Sequence, residues 1–321
     1  MTPPRVLLTG GSGFVGRHVL DALTAAVPVR VMVHERAPHR AEGAGIELVA
    51  GDLTNPASLA PCFAGVDLVM HLASYVGEDE SRCEAVNARG SAALVAAASA
   101  AGVRRILYLS SAAVYGYAVH RDADEQATLV APATPISRSR ATAEAAVLEA
   151  GGLVLRPLFV YGVGDTRFIP TVARGLIRFP FLVERGRAKV SVVEVTDLAR
   201  AAARLLLKPD DPGCPRIWHV TDGQPVSLRE IAEVLAQHLG IRMPGCSVPY
   251  PTARWMMRLA RGWARRWTPS DAHRLFLVSR DHYYNGDRLW RLVGLPRPAP
   301  LVERFGECAD WYRRLLGLGA A

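Results

Sequence analysis

A glycine-rich turn between an apolar strand and a helix constrains the fold of this chain more than any other stretch. Residues 6–9 read as a short buried strand, and Gly10, Gly13 and Gly16 follow it at intervals of three. The first glycine allows a tight turn, the second lets the backbone approach a pyrophosphate, and the third lets the helix pack closely on the strand. Free N–H groups at the helix start would face the phosphates, so the pattern predicts a dinucleotide site rather than a plain strand-to-helix turn. The predicted contacts are Gly10, Ser12, Gly13, Phe14, Val15 and Gly16.

The first half of the chain alternates apolar strands with helical segments. This alternation is typical of a parallel sheet with helices on both faces. The predicted strands are residues 6–9, 29–33, 46–50, 66–71, 105–110 and 153–156. The main predicted helices between them are residues 14–26, 82–101 and 137–149. The predicted fold class is therefore α/β, a doubly wound parallel sheet of the Rossmann type.

The regular alternation stops after Pro157. We expect residues 1–163, with returning segments near 189–221, to form the dinucleotide-binding domain. Residues 164–188 and 222–321 are expected to form a smaller, mainly helical lobe. This lobe would bind the substrate over the carboxyl ends of the strands, where ligands bind in such sheets.

Capping signals predict two helices in this second half. Thr196 is expected to cap a helix that runs to about residue 207, since threonine is a favoured N-cap. Ser227 and Glu230 form a capping-box pattern, which predicts a helix from there to residue 239.

Composition narrows the class of protein. The five cysteines are scattered without a C-x-x-C pair, which indicates a reducing compartment and neither a metal site nor a disulfide framework. No uncharged apolar run reaches about 18 residues and the N-terminus has no secretory pattern, so we predict a cytoplasmic protein without a membrane span. The net charge of +8 is compatible with anionic partners, but no nucleic-acid-binding module is present. The expected partner is a small molecule, and a homodimer is left open.

Charged residues after the second strand bear on the choice of nicotinamide cofactor. Arg36 and Arg40 could hold the 2′-phosphate of NADP, since guanidinium groups match phosphate geometry. Glu35 could instead bind the ribose 2′-hydroxyl of NAD. The arginines favour NADP, with NAD as the alternative. Asp52, next to Leu53, could accept a hydrogen bond from the adenine amino group or could cap the following helix.

His71 ends the fourth predicted strand. Leu72, Ala73 and Ser74 follow it, and side chains of this size allow backbone to lie close to a cofactor. The histidine itself is more typical of a buried, hydrogen-bonded residue than of a ligand-binding one.

Six ordered motifs in the first half resemble one known superfamily. They are residues 9–16, 51–53, 71–73, 86–90, 109–116 and 155–162, and the match continues at 195–199 and 219–223. The chain resembles the extended short-chain dehydrogenase/reductases, which include sugar-nucleotide epimerases, dehydratases and 3β-hydroxysteroid dehydrogenases. The resemblance covers nearly the whole chain and also implies that Ser110 and Pro157 lie beside the cofactor.

The resemblance implies a Ser-Tyr-Lys active site, which this chain retains only in part. Ser111 matches the serine that orients a substrate carbonyl. Pro135 and the alanine-glutamate pair at 143–144 fix the register of the Tyr-x-x-x-Lys motif, and its two positions hold Ile136 and Arg140. Isoleucine cannot donate a proton and arginine is a poor proton source, although Arg140 could bind the cofactor ribose or stabilise an oxyanion. The catalytic candidates are therefore Ser111 and Arg140.

An atypical member of this superfamily that lacks the tyrosine acts on an aromatic polyketide in antibiotic biosynthesis. The resemblance therefore implies an NADPH-dependent ketoreductase for a bulky aromatic ketone. The proton would come from the substrate, from solvent, or from a hydroxyl such as that of Ser110, Tyr75 or Tyr161. The alternatives are a non-catalytic NAD(P)-binding sensor and a non-redox isomerase or lyase.

A basic, tryptophan-rich stretch covers residues 254–267. Trp255, Leu259, Trp263 and Trp267 fall on one helical face. This face could pack on the lobe, cover a large aromatic ligand as a lid, or lie on a membrane surface.

Overall fold

The computed structural model describes residues 3–38, 45–209, 211, 213–263, 276 and 279–318. Seven parallel strands form its central sheet. With strands numbered along the chain, they are β1 (Val6–Thr9), β2 (Val29–Val33), β3 (Ile46–Ala50), β4 (Leu68–His71), β5 (Arg105–Leu109), β7 (Leu153–Pro157) and β12 (Ile217–Val220). Their order is β12-β7-β5-β4-β1-β2-β3. The predicted doubly wound sheet is confirmed, and its direction of winding reverses between β1 and β4, where ligands bind in such folds.

Buried side chains on both faces of β1 explain why the sheet carries helices on both sides. Val6 and Leu8 point into one core, and Leu7 points into the opposite one. Helices α1 (Phe14–Thr24) and α6 (Val195–Leu207) cover the first face. Helices α3 (Gly90–Ala100) and α4 (Pro135–Glu149) cover the second face, together with short 3₁₀ turns at Pro56–Ser58 and Ala60–Phe63.

The helix predicted at residues 82–101 is not a uniform α-helix. A short α2 (Glu80–Arg82) leads into a π-helical segment, Cys83–Arg89, which continues as α3. Gly90 stands at the junction, where an added Cβ would lie 2.8 Å from the Cβ of Leu53. π-helical turns are rare and are often found at functional sites.

Short strands outside the central sheet form a second sheet and two strand pairs in the described part of the chain. These strands are β6 (His120–Ala123), β8 (Phe159–Tyr161), β9 (Phe181–Val183), β10 (Lys189–Val190), β11 (Val192–Glu194), β13 (Val226–Ser227), β14 (Cys246–Val248) and β15 (His282–Tyr284). They form a four-stranded sheet, β13-β10-β15-β6, and the pairs β11-β8 and β14-β9. The remaining helices are α5 (Phe168–Arg178), α7 (Leu228–Leu239), α8 (Tyr250–Trp263), α9 (Asp287–Val293), α10 (Leu301–Arg304) and α11 (Ala309–Leu316).

One of the two predicted caps is confirmed and the other is wrong. Ser227 and Glu230 form the capping box of α7. Helix α6 is capped by Glu194, because its carboxylate accepts hydrogen bonds from the backbone N–H groups of Thr196 and Asp197. Thr196 therefore lies inside the first turn of α6. None of the helices within the described ranges is long and apolar enough to cross a membrane.

Candidate functional site

The glycine turn after β1 leaves no room for side chains. Gly10 has a φ of +74°, and a Cβ added to it would lie 2.6 Å from the backbone nitrogen of Ala73. A Cβ on Gly16 would lie only 1.9 Å from the carbonyl oxygen of Gly10. Gly13 is the N-cap of α1 and provides no side chain to cap it, so the first N–H groups of the helix remain available to a ligand. This geometry fits the pyrophosphate of a dinucleotide.

A buried histidine fixes the backbone that faces this turn. The Thr9 hydroxyl lies 2.7 Å from His71 Nδ1 and accepts hydrogen bonds from the N–H groups of Leu72 and Ala73, each at 3.2 Å. His71 Nε2 lies 2.8 Å from the hydroxyl of Ser91 on α3. Complete burial lowers the pKa of His71 to about 4 and keeps the ring neutral. His71 is therefore a structural residue that holds 72–73 against Gly10.

The pKa of His71 predicts acid sensitivity. The unfolded chain takes up a proton at this residue below about pH 6.5, whereas the folded chain does so only near pH 4. The free energy of unfolding should therefore decrease as the pH is lowered through this window, by about 1.4 kcal/mol per pH unit from His71 alone. The measurement is urea unfolding of the wild type and the His71→Gln variant at pH 7 and pH 5. An equal stability difference between the two proteins at both pH values would contradict this assignment.

The carboxylate of Asp52 is held by its own turn at the end of β3. It accepts hydrogen bonds from the backbone N–H of Thr54 at 2.8 Å and from the Thr54 hydroxyl, and it lies 3.5 Å from His34 Nε2. The hydrogen bond from the Thr54 backbone is the main cause that lowers the pKa of Asp52. Asn55, not Asp52, occupies the position before the 3₁₀ turn at Pro56, so the capping alternative for Asp52 is wrong.

The other residues predicted around the adenosine differ in exposure. Leu53 is buried in the core beneath α3. Glu35 and Arg36 are exposed after β2, close in sequence to His34. Arg40 lies outside the described residues. His34 and Asp52, which follow β2 and β3, are in contact with each other.

Ser111 caps a 3₁₀ helix, Ala112–Tyr115, directly after β5. Its hydroxyl oxygen accepts from the backbone N–H of Ala113 at 3.2 Å, so its O–H can still donate to a ligand. Ser110 is buried, and its hydroxyl has no hydrogen-bond partner among the described residues. Both serines lie at the carboxyl end of the sheet. Pro157, the other predicted cofactor contact, is the last residue of β7, and β5 lies between β7 and β4.

Helix α4 carries the two positions where the motif departs from Tyr and Lys. Ile136 and Arg140 are one turn apart and share a face of this helix. The helix packs against the 3₁₀ helix that Ser111 caps and against the π-helical segment. Arg140 Nε is buried and has no hydrogen-bond partner in the described part of the chain. An unsatisfied buried donor of this kind fits a site that is completed by a ligand.

Asn87 in the π-helical segment organises the loop after β4. Its Oδ1 accepts from the Tyr75 N–H at 2.7 Å and from the Ser74 hydroxyl at 3.2 Å. Its Nδ2 donates to the Tyr75 carbonyl at 2.9 Å and to the Ser139 hydroxyl of α4 at 3.1 Å. We call these contacts the Asn87 clamp. The motif at 86–90 was visible in the sequence, but its role depends on contacts with α4 that spacing does not reveal.

A buried polar network lies behind Ser111. Arg156 of β7 donates to Glu144 of α4 through Nε at 2.9 Å and to the Tyr115 hydroxyl through Nη1 at 2.9 Å. The Tyr115 hydroxyl lies 2.7 Å from His219 Nε2. The backbone N–H of His219 donates to the Glu125 carboxylate at 2.7 Å. Burial raises the pKa of Tyr115 to about 12 and lowers that of His219 to about 3. Tyr115 is thus a protonated, structural residue at neutral pH.

The two other tyrosines considered as proton sources differ in access. Tyr161 is fully buried in the second core, and burial raises its pKa far above the usual value. Its side chain therefore has no exposed surface that a ligand could contact. Tyr75 is half-buried and its ring lies under the Arg82 guanidinium, 4.4 Å from it. In the basic stretch, Trp255 is 60% exposed, while Leu259, Trp263 and Trp267 lie outside the residues whose side chains are described.

Comparisons with known proteins agree with this geometry. The model of the NAD dependent epimerase/dehydratase family matches residues 6–221. A 4-hydroxy-2-methyl-3-oxo-4-farnesyl-3,4-dihydroquinoline-1-oxide ketoreductase from Stigmatella aurantiaca is 29% identical over 307 residues, which cover 90% of this chain and 91% of that protein. A 3 beta-hydroxysteroid dehydrogenase/Delta 5-->4-isomerase from Mycobacterium tuberculosis is 27% identical over 96% of this chain and 90% of its own length.

A solved structure supports the fold. The Bordetella bronchiseptica enzyme WbmH in complex with NAD+ superposes with a TM-score of 0.75 at 18% identity. The match covers 98% of this chain and 99% of WbmH. At this identity the likeness establishes the architecture alone.

Proposed function

The chain belongs to the NAD dependent epimerase/dehydratase family, and from this membership we propose that it is an NADPH-dependent ketoreductase for bulky aromatic ketones. The family and the relatives named as reductase and dehydrogenase identify it as an NAD(P)-dependent oxidoreductase. The observation that carries the proposal is the combination of a glycine turn with uncapped helix N–H groups and a Ser111 hydroxyl that can still donate. The substrate would be a polyketide-type aromatic ketone that is modified in antibiotic biosynthesis.

Different segments of the chain are proposed to bind the cofactor and the substrate. Residues 1–163, with segments near 189–221, would bind the dinucleotide, and residues 164–188 and 222–321 would bind the substrate. The contacts predicted at the glycine turn, at 72–74 and at Ser110 would hold the cofactor. NADP is favoured over NAD because Arg36 is exposed beyond β2, where a 2′-phosphate needs a guanidinium. A cytoplasmic location and a homodimeric state remain predictions.

The proposed mechanism uses few groups of the protein. The bound nicotinamide would supply a hydride to the ketone carbon. Ser111 would donate a hydrogen bond to the carbonyl oxygen, and Arg140 would stabilise the negative charge that develops there. Ile136 cannot supply the proton, so the proton would come from a hydroxyl on the substrate itself or from water. Positioning of the ketone beside the hydride donor would provide much of the rate enhancement.

The size and ring type of the substrate are supported by one relative. The Stigmatella protein is named as a ketoreductase of a farnesylated dihydroquinoline oxide, a bicyclic ring ketone. A ring ketone with a phenol beside the carbonyl could hydrogen-bond its own alkoxide. Such a substrate would reduce the need for an acid on the enzyme.

We expect Ser111→Ala to lower kcat for ketone reduction by about 100-fold, because an oxyanion donor is lost. The assay follows NADPH absorbance with angucyclinone and anthraquinone ketones, and NADH is tested in parallel. Ser111→Thr keeps the hydroxyl and should restore most of the activity. Ser99→Ala, an exposed serine on α3, is the matched control. Unchanged turnover in Ser111→Ala would refute the role of this serine.

Two further outcomes of the same assay separate the alternatives. Methylation of the phenol beside the ketone should slow turnover if the substrate assists its own reduction. Tight NADPH binding without turnover of any ketone would favour a non-catalytic sensor. Ile136 would also be compatible with a sensor, because it cannot donate a proton.

A further inference from the structure

An arginine-lined pocket lies away from the glycine turn, at the start of β6 and β15. Its volume is about 600 Å³, within the range of sites that hold small organic molecules. Four arginines line it: Arg121, Arg185, Arg187 and Arg280. We call this site the arginine pocket.

The two carboxylates of the arginine pocket are already engaged. Asp281 accepts from Arg121 Nε at 2.7 Å and from the Lys189 N–H at 2.9 Å. Glu184 accepts from the Tyr250 N–H at 2.8 Å. Among the described lining residues, four arginines and two carboxylates give a formal charge of +2.

The remaining arginines are not neutralised by ion pairs. Among the described residues, no carboxylate lies within 4.0 Å of the guanidinium nitrogens of Arg185, Arg187 or Arg280. Arg280 instead lies over the Tyr250 ring, 4.9 Å from its centre. Three guanidinium groups around one concave surface are suited to an oxyanion, which they can bind with several directed hydrogen bonds.

The backbone that presents these arginines is strained. Glu184, Arg185 and Gly186 have φ values of +48°, +59° and +66°, three consecutive left-handed residues of which only the last is glycine. The Arg185 N–H is held by the Ser247 hydroxyl at 2.7 Å. Backbone strain of this kind is concentrated at ligand sites and switch regions. Arg185 in this turn and Arg187 directly after it both line the pocket.

We propose that the arginine pocket binds an organic anion through its carboxylate or phosphate group. An inorganic ion would fill only a small part of its volume. The other lining residues include Val119, Val248 and Pro249, which can cover an apolar body attached to the anionic group. The pocket lies mostly in the segments proposed to bind the substrate, but its lining residues include neither Ser111 nor Arg140, the two groups assigned to the chemical step.

Calorimetric titration tests this proposal with three probes that share one apolar body. The probes are 2-naphthoate, 2-naphthyl phosphate and the neutral 2-naphthamide, added to protein with excess NADPH. We expect at least one anion to bind about tenfold more tightly than the amide. The double variant Arg185→Gln/Arg187→Gln should bind that anion about tenfold more weakly, because charge-assisted contacts are lost. Arg204→Gln on α6 removes the same type of charge far from the pocket and should change nothing.

The comparison of the two anions identifies the ligand class, since the tighter one shows whether a carboxylate or a phosphate is preferred. Thermal unfolding of each variant checks that the fold is intact. The proposal is overturned if no probe binds, if the amide binds as tightly as both anions, or if the double variant keeps the wild-type affinity. None of these readouts requires turnover, so they are separate from the fate of the proposed ketoreductase activity.

Discussion

We expect the Gly16→Ala variant to lose at least about 100-fold in NADPH affinity, equivalent to about 2.7 kcal/mol. The added Cβ would lie 1.9 Å from the Gly10 carbonyl oxygen and 2.9 Å from the Gly11 Cα. Both contacts are with backbone, so no side-chain rotation can relieve them. Helix α1 must move away from the turn, and its free N–H groups then no longer meet the pyrophosphate. The measurement is a fluorescence titration with NADPH.

Gly175→Ala is the matched control for this substitution. Gly175 lies within α5, and a Cβ there would meet no atom within 4 Å. The exchange should leave NADPH affinity unchanged and stabilise the fold by about 0.5–1 kcal/mol, because alanine favours helix. Wild-type NADPH affinity in Gly16→Ala would show that the glycine turn is not the cofactor site.

The second large effect is expected from Glu144→Gln, which should lower the free energy of unfolding by about 3–5 kcal/mol. Glu144 and Arg156 form a bidentate ion pair, and their side chains are only 4% and 3% exposed. The amide keeps the shape of the carboxylate but leaves the Arg156 charge buried without a counter-charge. Urea unfolding at neutral pH measures the loss.

Two control variants test whether the loss of stability in Glu144→Gln comes from the buried, unpaired charge. The exposed pair Arg229 and Glu233 on α7 is 3.4 Å apart, and Glu233→Gln should cost no more than about 0.5 kcal/mol. The double variant Glu144→Met/Arg156→Met removes both charges and should recover much of the lost stability. A loss below about 1 kcal/mol in Glu144→Gln would mean that water or another group compensates Arg156.

The parallel strands could be predicted from sequence because burial on both faces produces short, continuous apolar runs. The bounds predicted for β1, β2 and β3 match the observed ones. The second sheet could not be predicted in this way. Its strands have two to four residues, as in β10 and β15, too few to show a period of two. They pair with partners that are distant in sequence, so only the assembled fold reveals them.

The candidate site divides along the same line between local and distant contacts. The glycine turn and Ser111 depend on neighbours within a few residues, so the sequence alone was sufficient to propose them as site residues. Asn87 acts on Ser139, and Tyr115 contacts His219 at a separation of 104 residues. Their roles were therefore not visible before the structure. The choice of Thr196 as a cap failed because the helix begins before it, at Val195, with Glu194 as the N-cap.

The position of β12 at the end of the seven-stranded sheet has a consequence for synthesis of the chain. Strand β7 pairs with β5 on one side and with β12 on the other, and β12 is made from residues 217–220. Until the ribosome has released that segment, one edge of β7 has unpaired N–H and C=O groups that can pair with other chains. The nascent protein is thus most prone to aggregate after its apparent first domain is complete. For the same reason, a fragment that ends soon after Pro157 is a poor choice for expressing the dinucleotide-binding part alone.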